Sequence, residues 1–471
     1  MISNRENIKD FILKIEQDFP VNNWKINGVH LWPILRYHLF FFLIDALEKK
    51  RLKFKTEKKS KKGDTVFSFW FSIFQWINFT LLIKKKEKLF FSPNHVRVNY
   101  KNKSFDRFFD SIIKQQQLQK VSYKFNYHDE NENDLKIEDD NYYSLLQYNK
   151  GFKNLYKLKN KLLGNKKLAS TLEFDDYSLF LEFLNTNPLT KDFATKYSEN
   201  FIVNYTENIL VNALFFETIL KKTKPKEIFI ICYYTPLMHA LLIAAKKRNI
   251  KVIEVQHGPM SNTHLSYTNW TNVPQEGYEF LPDEFWCWDE ESLLNMTNWT
   301  SNTNAHKAFL GGNPWIDFLK NDNEAYHLPN NMVLYTLQPL AFDVLFPTEL
   351  IELIKKGEWI WYVRLHPRQY NQKQEIITFL QDNAIFEFVN IEEAFNFPLP
   401  VLLNTCRIHL THFSGSAIEA SLQNKFTILL DELGVDTFKE IIQNQKALYL
   451  PIDHNFSQEF SKIINNSFCN P

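Results

Sequence analysis

The amino-acid sequence predicts an α/β protein with two doubly wound domains, each built on a parallel sheet, and a helical N-terminal extension. Strand-like segments rich in β-branched and aromatic residues alternate with helical segments from about residue 220 onward. The chain of 471 residues is also too long for one core of ordinary size. The break Gly311-Gly312-Asn313-Pro314 divides the alternation into two runs, and we place the domain boundary there.

Residues 1–88 form the predicted N-terminal extension. The segments DFILKIEQDF and LWPILRYHLFFFLIDALEKK carry apolar residues at helical spacing, and the region is basic and aromatic. A first α/β domain is expected over 89–312, in which the polar insertion DENENDLKIEDDNYY forms a surface loop. A second α/β domain is expected over 313–455, followed by a C-terminal helix or tail over 456–471.

Each predicted strand is a short apolar run that ends on a polar residue or at a turn. In the first domain these runs are KLFFSP, KEIFIICYY, KVIEVQHG, DEFWCWDE and AFLGG, and in the second they are NMVLYTLQP, WIWYVRLHP, RIHLTH and KFTILLD. Open α/β sheets bind ligands at the carboxyl ends of their strands. The polar residues that end these strands are therefore the candidates for a functional site.

Charge and cysteine content exclude several classes of protein. Lys plus Arg number 55 and Asp plus Glu number 54, so no excess charge favours nucleic acid as a partner. Cys232, Cys287, Cys406 and Cys469 lie far apart, without zinc-ligand or disulfide-framework spacing. Reduced thiols and the lack of a secretory pattern at the N-terminus predict a cytoplasmic protein.

The segment TVFSFWFSIFQWINFTLLI, residues 65–83, runs for 19 residues without a charge. It can be a buried helix with solvated flanking lysines, a helix in the interface of an anionic membrane, or a bilayer span. Nine Lys and Arg residues between Lys49 and Lys62 face one acid, Glu57, which suits an anionic surface. The polar residues within the segment disfavour a span. Peripheral contact with the inner face of the cytoplasmic membrane is thus one expectation.

The stretch THFSGSAIEASLQN carries the strongest signal for a bound nucleotide. Ser414, Gly415 and Ser416 lie between a strand and a helix, where backbone N–H groups and the helix dipole favour a phosphate. His412 ends the strand, and Glu419 in the first helical turn is placed to accept hydrogen bonds from a ribose diol. The structural alternative is a capping box, with Ser416 as the N-cap and Glu419 three residues further on.

The stretch RLHPR is a second candidate for phosphate binding. Pro367 ends the strand, so His366 projects from the carboxyl edge of the sheet. A histidine there can donate a hydrogen bond to a leaving phosphate or protonate it. Arg364 and Arg368 can add positive charge. The structural alternative is a strand-end histidine whose ring is bonded by a neighbouring loop.

The stretch VIEVQHG delivers polar groups at the end of a strand in the first domain. Glu254 and Gln256 alternate along the strand, His257 ends it, and Gly258 permits a tight turn. His264 follows in the next loop. If the two sheets face each other, His257 and the histidine of the second domain lie on opposite walls of one cleft. The structural alternative is a histidine that only caps a turn.

These motifs resemble bacterial two-domain glycosyltransferases of the GT-B fold, which have two Rossmann-like domains facing a cleft. The resemblance rests on a strand followed by QHG, a GNP linker, a strand followed by RLHP, and TH-x-SGS-x-x-EA, and it covers about residues 220–455. The HP motif followed by a serine-rich loop is similar to that of CMP-sialic acid and CMP-Kdo transferases, which act in capsule and lipopolysaccharide synthesis. It is also similar to that of CDP-glycerol glycerophosphotransferases. In those families the HP histidine contacts the donor phosphate and the serine loop binds the nucleotide. The resemblance implies these roles for His366 and for Ser414, Gly415 and Ser416.

The function that these observations imply is a metal-independent glycosyltransferase that needs no cofactor. The second domain would bind a nucleotide-activated sugar, with a CMP-sugar favoured, and the first would bind a glycan or lipid-linked acceptor. The acidic D/E-D/E-G motif that supplies the base in many CMP-sialic acid transferases is not seen, so the candidate base is His257, Glu254 or a residue in the N-terminal half of the chain. Gln256, Gly258, His264 and Asn313 are the acceptor-side candidates. The alternatives are a CDP-glycerol-type polyol-phosphate transferase, a sugar-nucleotide epimerase, and a non-catalytic scaffold of a polysaccharide assembly complex.

Overall fold

A computed structural model describes residues 2, 4–49, 66–128, 139–164, 167–322 and 326–466. The chain divides into two compact units. The first unit comprises Met1–Arg97 and Asp106–Pro314, and the second comprises Val98–Phe105 and Trp315–Pro471. The division after Pro314 lies beside the boundary predicted after residue 312.

The N-terminal extension of the first unit is mainly helical. Its elements are α1 (Arg5–Asp18), β1 (Lys25–Ile26), β2 (Val29–His30), α2 (Trp32–Lys49) and α3 (Val66–Leu82). The two short strands pair antiparallel and interrupt the helices. The extension shares one hydrophobic core with the α/β part of the unit, because Trp24 and Trp32 belong to the same cluster of buried residues as Phe91 and Phe285.

The α/β part of the first unit alternates strands with helices. Its elements are β3 (Lys88–Ser92), α4 (Phe109–Gln115), β6 (Ser122–Asn126), β7 (Tyr142–Ser144), α5 (Leu145–Leu163), β8 (Leu172–Glu173), α6 (Tyr177–Thr186), α7 (Lys191–Lys196), α8 (Glu199–Thr223), β9 (Glu227–Ile230), α9 (Pro236–Lys246), β10 (Lys251–Val255), β11 (Glu284–Cys287), α10 (Glu290–Thr300) and β12 (Lys307–Leu310). The paired strands β4 (Arg97–Tyr100) and β5 (Lys103–Asp106) follow β3 in the chain but belong mostly to the second unit. Strand β8 joins β1 in the small sheet of the extension. Most of the predicted polar insertion, residues 129–138, lies outside the described residues.

The main sheet of the first unit has the strand order β12-β11-β10-β9-β3-β6-β7, and its neighbouring strands are parallel. Numbered along the chain from the β7 edge, the order is 3-2-1-4-5-6-7. This is the Rossmann order with one added edge strand. The direction of winding reverses between β3 and β9, which makes that point the topological switch of the sheet.

The second unit repeats this plan. Its elements are α11 (Pro314–Lys320), β13 (Met332–Thr336), α12 (Phe342–Leu345), α13 (Thr348–Lys355), β14 (Ile360–Arg364), α14 (Lys373–Asp382), β15 (Val389–Asn390), α15 (Glu392–Asn396), α16 (Leu399–Thr405), β16 (Ile408–Thr411), α17 (Ser416–Leu422), β17 (Thr427–Leu429), α18 (Glu432–Thr437), α19 (Lys439–Gln443), β18 (Ala447–Tyr449) and α20 (Phe456–Asn466). The predicted C-terminal helix is α20, whose Phe460 stacks on Trp361 of the sheet.

The sheet of the second unit has the order β15-β14-β13-β16-β17-β18, again with parallel neighbours. Numbered along the chain, it reads 3-2-1-4-5-6, the Rossmann order itself. The switch point lies between β13 and β16. The predicted fold class of two doubly wound, Rossmann-like domains with a helical N-terminal extension is therefore confirmed, while their facing across a cleft stays a prediction.

The uncharged segment predicted over 65–83 forms α3, which buries one side only. Ile73, Trp76 and Phe79 on that side are each about 5% exposed or less, and they pack within the first unit. Along the described part of the chain, no helix is long and apolar enough to cross a membrane. The basic stretch at 50–62 lies outside the described residues.

Candidate functional site

The carboxyl edge of the first sheet gathers aromatic and imidazole side chains. His95 follows β3, His128 follows β6, Tyr234 follows β9 and His257 follows β10. Because the strands are parallel, all of these loops leave from the same edge. The rings of His95 and His128 lie 5.7 Å apart, and those of Tyr234 and His257 lie 6.3 Å apart. This edge therefore offers proton-transfer groups, as the sequence predicts for His257.

Glu254 is fully buried beneath this edge, on β10. Its Oε1 accepts a 2.6 Å hydrogen bond from the Tyr267 hydroxyl and a 3.4 Å bond from the Tyr233 amide, while Oε2 has no partner among the described residues. Burial raises the pKa of Glu254 to about 8, although the bond from Tyr267 opposes the shift. The carboxyl group is therefore mainly protonated at neutral pH. Its burial also means that a substrate can reach it only through its neighbours.

His257 is the partly exposed neighbour, with 15% of its side chain accessible. Its Nδ1 lies 3.4 Å from the Tyr267 hydroxyl oxygen and 3.8 Å from Glu254 Oε1. Since the Tyr267 hydroxyl donates to Glu254, its oxygen can only accept from His257, which assigns the proton to Nδ1. Nε2 is then the basic nitrogen. Burial, together with the positive charges of His95, His264 and Arg107, lowers the pKa of His257 to about 3, so the ring is neutral.

The loop that carries Tyr267 is fixed by the N-terminal extension. Arg36 on α2 donates from Nη2 to the carbonyl oxygens of Thr268 and Asn269, at 3.1 and 2.7 Å. Its Nε donates to Glu16 on α1 at 2.7 Å, and Glu16 also accepts from the Thr271 amide at 3.1 Å. Both members of this ion pair are buried, so breaking it would leave an unpaired buried charge. The extension thus positions a residue that contacts both Glu254 and His257.

Helix α2 also extends the aromatic edge with residues that the sequence did not single out. Tyr37 lies 5.7 Å from Tyr234 and 6.0 Å from His239, measured between ring centroids, and its neighbour His38 lies 4.1 Å away. Several buried ring nitrogens here have no hydrogen-bond partner in the described part of the chain: His38 Nε2, both nitrogens of His239, and His264 Nδ1. Buried polar atoms are normally bonded, so this concentration suits a polar ligand. The only sequence signal was a Tyr-His pair within an apolar helix.

The remaining acceptor-side candidates have structural contacts. The Gln256 amide donates to the Gly258 carbonyl and to Ser292 Oγ, both at 3.0 Å, and accepts from the Trp288 amide at 2.7 Å. These bonds hold the QHG turn to the next loop. Gly258 has open space where a Cβ would lie, and Asn313 is buried. Direct contact of these residues with an acceptor stays a prediction.

The glycines of the linker are explained by one tryptophan. A Cβ at Gly311 would lie 2.1 Å from Nε1 of the Trp286 indole, and Gly312 has a φ of 75°. Trp286 Nε1 donates to the Gly312 carbonyl at 2.8 Å. Glycine at residue 311 permits the close approach of the indole, and glycine at residue 312 permits the left-handed conformation.

The switch point of the second sheet is built from hydroxyl and imidazole groups. Ser416 Oγ lies 2.8 Å from Thr336 Oγ1 and 3.3 Å from His409 Nε2. His409 Nδ1 lies 3.0 Å from Thr427 Oγ1, and all four side chains are buried. The Ser416 hydroxyl therefore belongs to an internal network that joins β13, β16 and β17. Its predicted contact with phosphate is untested, and the network gives the residue a structural role in addition.

His412 projects at the same switch point. Its side chain is 2% exposed, and neither ring nitrogen has a hydrogen-bond partner in the described residues. Burial lowers the pKa of His412 to about 4, against the effect of Asp431, so the ring is neutral. A Cβ at Gly434 would lie 2.2 Å from the His412 carbonyl oxygen, so the loop and α18 pack in direct contact. A neutral histidine without a partner at a switch point is a candidate for ligand binding, as predicted.

Ser414 and Gly415 form the accessible part of the serine loop. The Ser416 amide donates to Ser414 Oγ at 3.3 Å, and the Ser414 amide donates to Thr411 Oγ1 at 3.4 Å. Gly415 is exposed, and a Cβ there would meet no atom within 4 Å. Gly415, rather than Ser416, is the N-cap of α17, so the predicted capping box with Glu419 does not form. Glu419 is buried on the first turn of this short helix.

His366 has a fixed ring orientation at the end of β14. Its Nδ1 accepts a 3.2 Å hydrogen bond from the Arg368 amide, and its own amide donates to Gln369 Oε1 at 3.2 Å. Since Nδ1 accepts, the proton of the neutral ring lies on Nε2, which bonds to no described residue. Burial, with a smaller effect of Arg368, lowers the pKa of His366 to about 4. His366 is therefore a hydrogen-bond donor at neutral pH, and not a charged acid.

The two arginines near His366 differ in their exposure and in their hydrogen bonds. Arg364 Nη1 donates to the carbonyl oxygen of Phe397 at 2.7 Å and also to that of Ala394, so these bonds hold it against the segment around α15. Arg368 and Pro367 are exposed. The structure therefore gives Arg364 a structural contact, and phosphate binding by either arginine stays a prediction. Among the described residues no group of His, Cys, Asp and Glu could hold a metal ion, and metal independence likewise stays a prediction.

No family model and no curated protein sequence matches this chain. Its fold is similar to that of a UDP-GlcNAc 2-epimerase from Methanocaldococcus jannaschii in complex with UDP-GlcNAc and UDP, at 14% identity and a TM-score of 0.46, over 82% of this chain and 93% of that chain. It is also similar to Os79 from O. sativa in complex with UDP and deoxynivalenol-3-glucoside, at 8% identity and a TM-score of 0.45, over 80% and 90% of the two chains. At these values the likeness concerns the course of the chain and says nothing about its activity.

Proposed function

We propose that this protein is a metal-independent glycosyltransferase that moves a sugar from a nucleotide-activated donor to a hydroxyl group of a surface-polysaccharide or lipopolysaccharide acceptor. A CMP-activated sugar is the donor we expect first. The observation that carries the proposal is the switch point of the second sheet. There, the open Gly415 loop follows β16, as does a buried His412 that has no hydrogen-bond partner among the described residues, and a donating His366 follows β14, the neighbour of β13. Sheets of this order bind nucleotides at such strand ends.

In this proposal the second unit stabilises the leaving group. As the bond between the sugar carbon and the phosphate oxygen breaks, negative charge grows on the nucleotide phosphate. His366 Nε2–H would donate to that charge, and the backbone N–H group of Gly415 would add a further donor. A neutral donor suits this role because it needs no protonation step at neutral pH. The low pKa of His366 agrees with it.

The first unit would activate the acceptor. His257 Nε2 would take the proton of the acceptor hydroxyl while its oxygen bonds to the sugar carbon. In the fraction of molecules in which Glu254 is ionised, its carboxylate would stabilise the positive charge that forms on the ring, because it lies 3.8 Å from His257 Nδ1 and both groups contact the Tyr267 hydroxyl. Because the pKa of His257 is low, the coupled pair of His257 and Glu254, rather than His257 alone, would set the base strength.

A nucleotide screen by thermal shift tests the donor half of the proposal. CMP, CDP, UDP and GDP are compared at equal concentration, because saturating binding at about a hundredfold excess over Kd stabilises the folded state by about 2.7 kcal/mol. We expect one base to be preferred, with CMP first. If none of the four raises the melting temperature, the second unit does not bind these nucleotides and the proposal fails.

A second measurement separates transfer from its alternatives. With the preferred nucleotide-sugar and acceptor, a transferase releases free nucleotide only when the acceptor is present. An epimerase instead changes the sugar without an acceptor and leaves it attached to the nucleotide. A polyol-phosphate transferase releases CMP from CDP-glycerol, and a scaffold turns over none of these substrates. Product analysis by mass spectrometry and NMR distinguishes all four outcomes.

A further inference from the structure

The outward side of helix α3 is an exposed apolar surface, which we call the α3 outer face. Its large side chains recur every three or four residues, so they lie on one side of the helix. They are Phe67, Trp70, Phe71, Phe74, Ile77 and Leu81, and Leu82 follows at the end. Phe67 is 78% exposed, Phe74 64% and Leu81 73%. Soluble proteins seldom expose an apolar patch of this kind unless it binds something.

The opposite side of α3 fixes the helix in place. The Trp76 ring lies 5.6 Å from Phe152 on α5 and 5.0 Å from Phe215 on α8, and Phe79 stacks on Tyr148 at 4.2 Å. A Cβ at Gly151 would lie 2.0 Å from the Ser72 carbonyl oxygen, so α3 and α5 touch at the backbone. The outer face therefore cannot turn into the core, and α3 must meet any partner side-on.

Positive charge lies beside this face. Neither α3 nor α5 contains Asp or Glu, whereas α5 carries Lys150, Lys153, Lys157, Lys159 and Lys161. The two helices are antiparallel, because Phe79 late in α3 meets Tyr148 early in α5, while Ser72 accepts from Asn154 further along. The exposed lysines at the end of α5, with Leu162 and Leu163, thus lie toward the start of α3.

We propose that the α3 outer face and the lysines at the end of α5 dock the protein on an anionic lipid bilayer. Aromatic rings on a helix that lies flat enter a bilayer at the depth of the headgroups, and adjacent lysines attract anionic lipid. A protein partner would need acidic groups around an apolar groove. An anionic bilayer has negatively charged headgroups above an apolar interior over its whole surface. The docking does not depend on the proposed transferase activity.

Vesicle co-sedimentation of the full-length protein tests the apolar half of this surface. Wild-type protein should bind vesicles of phosphatidylcholine with phosphatidylglycerol, and much less those of phosphatidylcholine alone. Combined Trp70→Ser, Phe74→Ser and Leu81→Ser should weaken binding at least about tenfold, since the apolar contact area is lost. The matched control is Leu179→Ser with Leu294→Ser, which removes exposed apolar side chains elsewhere, at 52% and 61% exposure, and should bind as wild type.

The charged half is tested with Lys157→Gln, Lys159→Gln and Lys161→Gln together. These changes should also weaken binding several-fold and reduce its sensitivity to salt. Lys320→Gln, Lys355→Gln and Lys356→Gln in the second unit form the control with the same charge change and should have no effect.

Three outcomes overturn the proposal. The first is no binding of wild-type protein to the anionic vesicles at low salt. The second is unchanged binding of the α3 variant, which would place attachment elsewhere in the chain. The third is a wild-type dimer that the α3 variant converts to monomer, measured by analytical ultracentrifugation, without any vesicle binding. That result would assign the face to a second copy of the chain. Circular dichroism and melting temperature confirm that each variant is folded.

Discussion

His257 and His366 occupy similar places in the two sheets, yet their ring nitrogens have opposite roles. Each is the second residue after a strand, at the carboxyl edge of a parallel sheet. In His257 the Nδ1 atom faces a tyrosine oxygen that can only accept, so Nε2 is left as a base. In His366 the Nδ1 atom accepts from a backbone N–H, so Nε2 is left as a donor.

This difference shows that the partner of one nitrogen decides the chemistry of the other. The first sheet places a buried carboxyl group and a tyrosine behind its histidine, which are groups that share a proton. The second places the backbone amide of Arg368 and the side chain of Gln369 beside its histidine, which leaves the Nε2–H group as a donor. In the proposed function, the same strand order would therefore hold a proton acceptor in one unit and an anion site in the other.

The largest effect is expected from removing the basic nitrogen of the first unit. His257→Gln keeps the size of the side chain but has no basic atom, and transferase turnover should fall by about 10²–10⁴. Nucleotide binding should not change, because the nucleotide is assigned to the second unit. Steady-state kinetics and nucleotide titration measure the two quantities.

Tyr267→Phe serves as the control for positioning. It removes the hydroxyl group that links His257 to Glu254, so turnover should fall less and its pH profile should shift. Wild-type turnover in His257→Gln would show that the base lies elsewhere, and would remove the comparison with His366.

The second largest effect is expected from removing the donor of the second unit. His366→Asn retains an oxygen near the position of Nδ1 to accept from the Arg368 amide, but it loses the Nε2 donor. Turnover should fall by about 10²–10³, the range for loss of one donor to a developing anion. His366→Gln places an N–H near the position of Nε2 and should recover part of the rate.

The ranking of these two variants discriminates between the roles of His366. If His366→Asn is as active as wild type, the ring serves only to cap the turn after β14. If both variants lose activity equally and the lost rate returns at low pH, the ring acts as an acid and not as a neutral donor.

Much of the fold could be predicted because its strands are short apolar runs that end on polar residues. This pattern found β3, β9, β10, β13 and β16 among others. It missed β15 and β18, which contain two and three residues, and β6, whose alternation was not recognised beside the polar insertion. The segment Val98–Phe105 belongs to the second unit because Tyr100 and Phe105 pack on Trp315, a long-range contact that local pattern cannot reveal.

The strand-end positions of the candidate residues were predictable to the same extent, whereas their roles stay predictions. Strand ends identified His257, His366 and His412, because their position follows from the sheet alone. The sequence gives residue types but not partners. It could not reveal that the Ser416 hydroxyl is bonded to Thr336 and His409, nor that Tyr37 of a helix far earlier in the chain lies beside Tyr234.

A smaller effect, on stability, is expected from Glu254. Burial raises its pKa from 4.5 to about 8 in the folded protein, so between these values the unfolded chain is ionised while the folded state retains the proton. The folded state thus binds more protons in this range, and wild-type stability should fall as pH rises from about 4.5 to 8. Glu254→Gln keeps both hydrogen bonds to Oε1 and removes the titration.

Chemical denaturation of wild type and Glu254→Gln at about pH 5 and pH 8.5 measures this effect. The variant should gain on the order of a few kcal/mol relative to wild type between the two values, at about 1.4 kcal/mol for each unit of pKa shift. The buried histidines titrate in both proteins and cancel in the difference. Parallel stability curves for the two proteins would mean that Glu254 is already ionised near pH 5.

The smallest effect is expected from two glycines that follow strands at the carboxyl edges of the two sheets. Gly415 in the second unit and Gly258 in the first both have open space where a Cβ would lie, and neither has a positive φ, so valine should cost little stability at either position. Gly415→Val would obstruct the approach of a phosphate to the Gly415 backbone N–H group and should weaken nucleotide binding about tenfold, or about 1.4 kcal/mol. Gly258→Val should leave nucleotide affinity unchanged and raise the KM for the acceptor instead. Isothermal titration with the preferred nucleotide and acceptor kinetics decide between the sites. Equal nucleotide affinity in the two variants would mean that the phosphate lies away from the serine loop, and the anion site assigned to the second unit would have to be sought at another strand end.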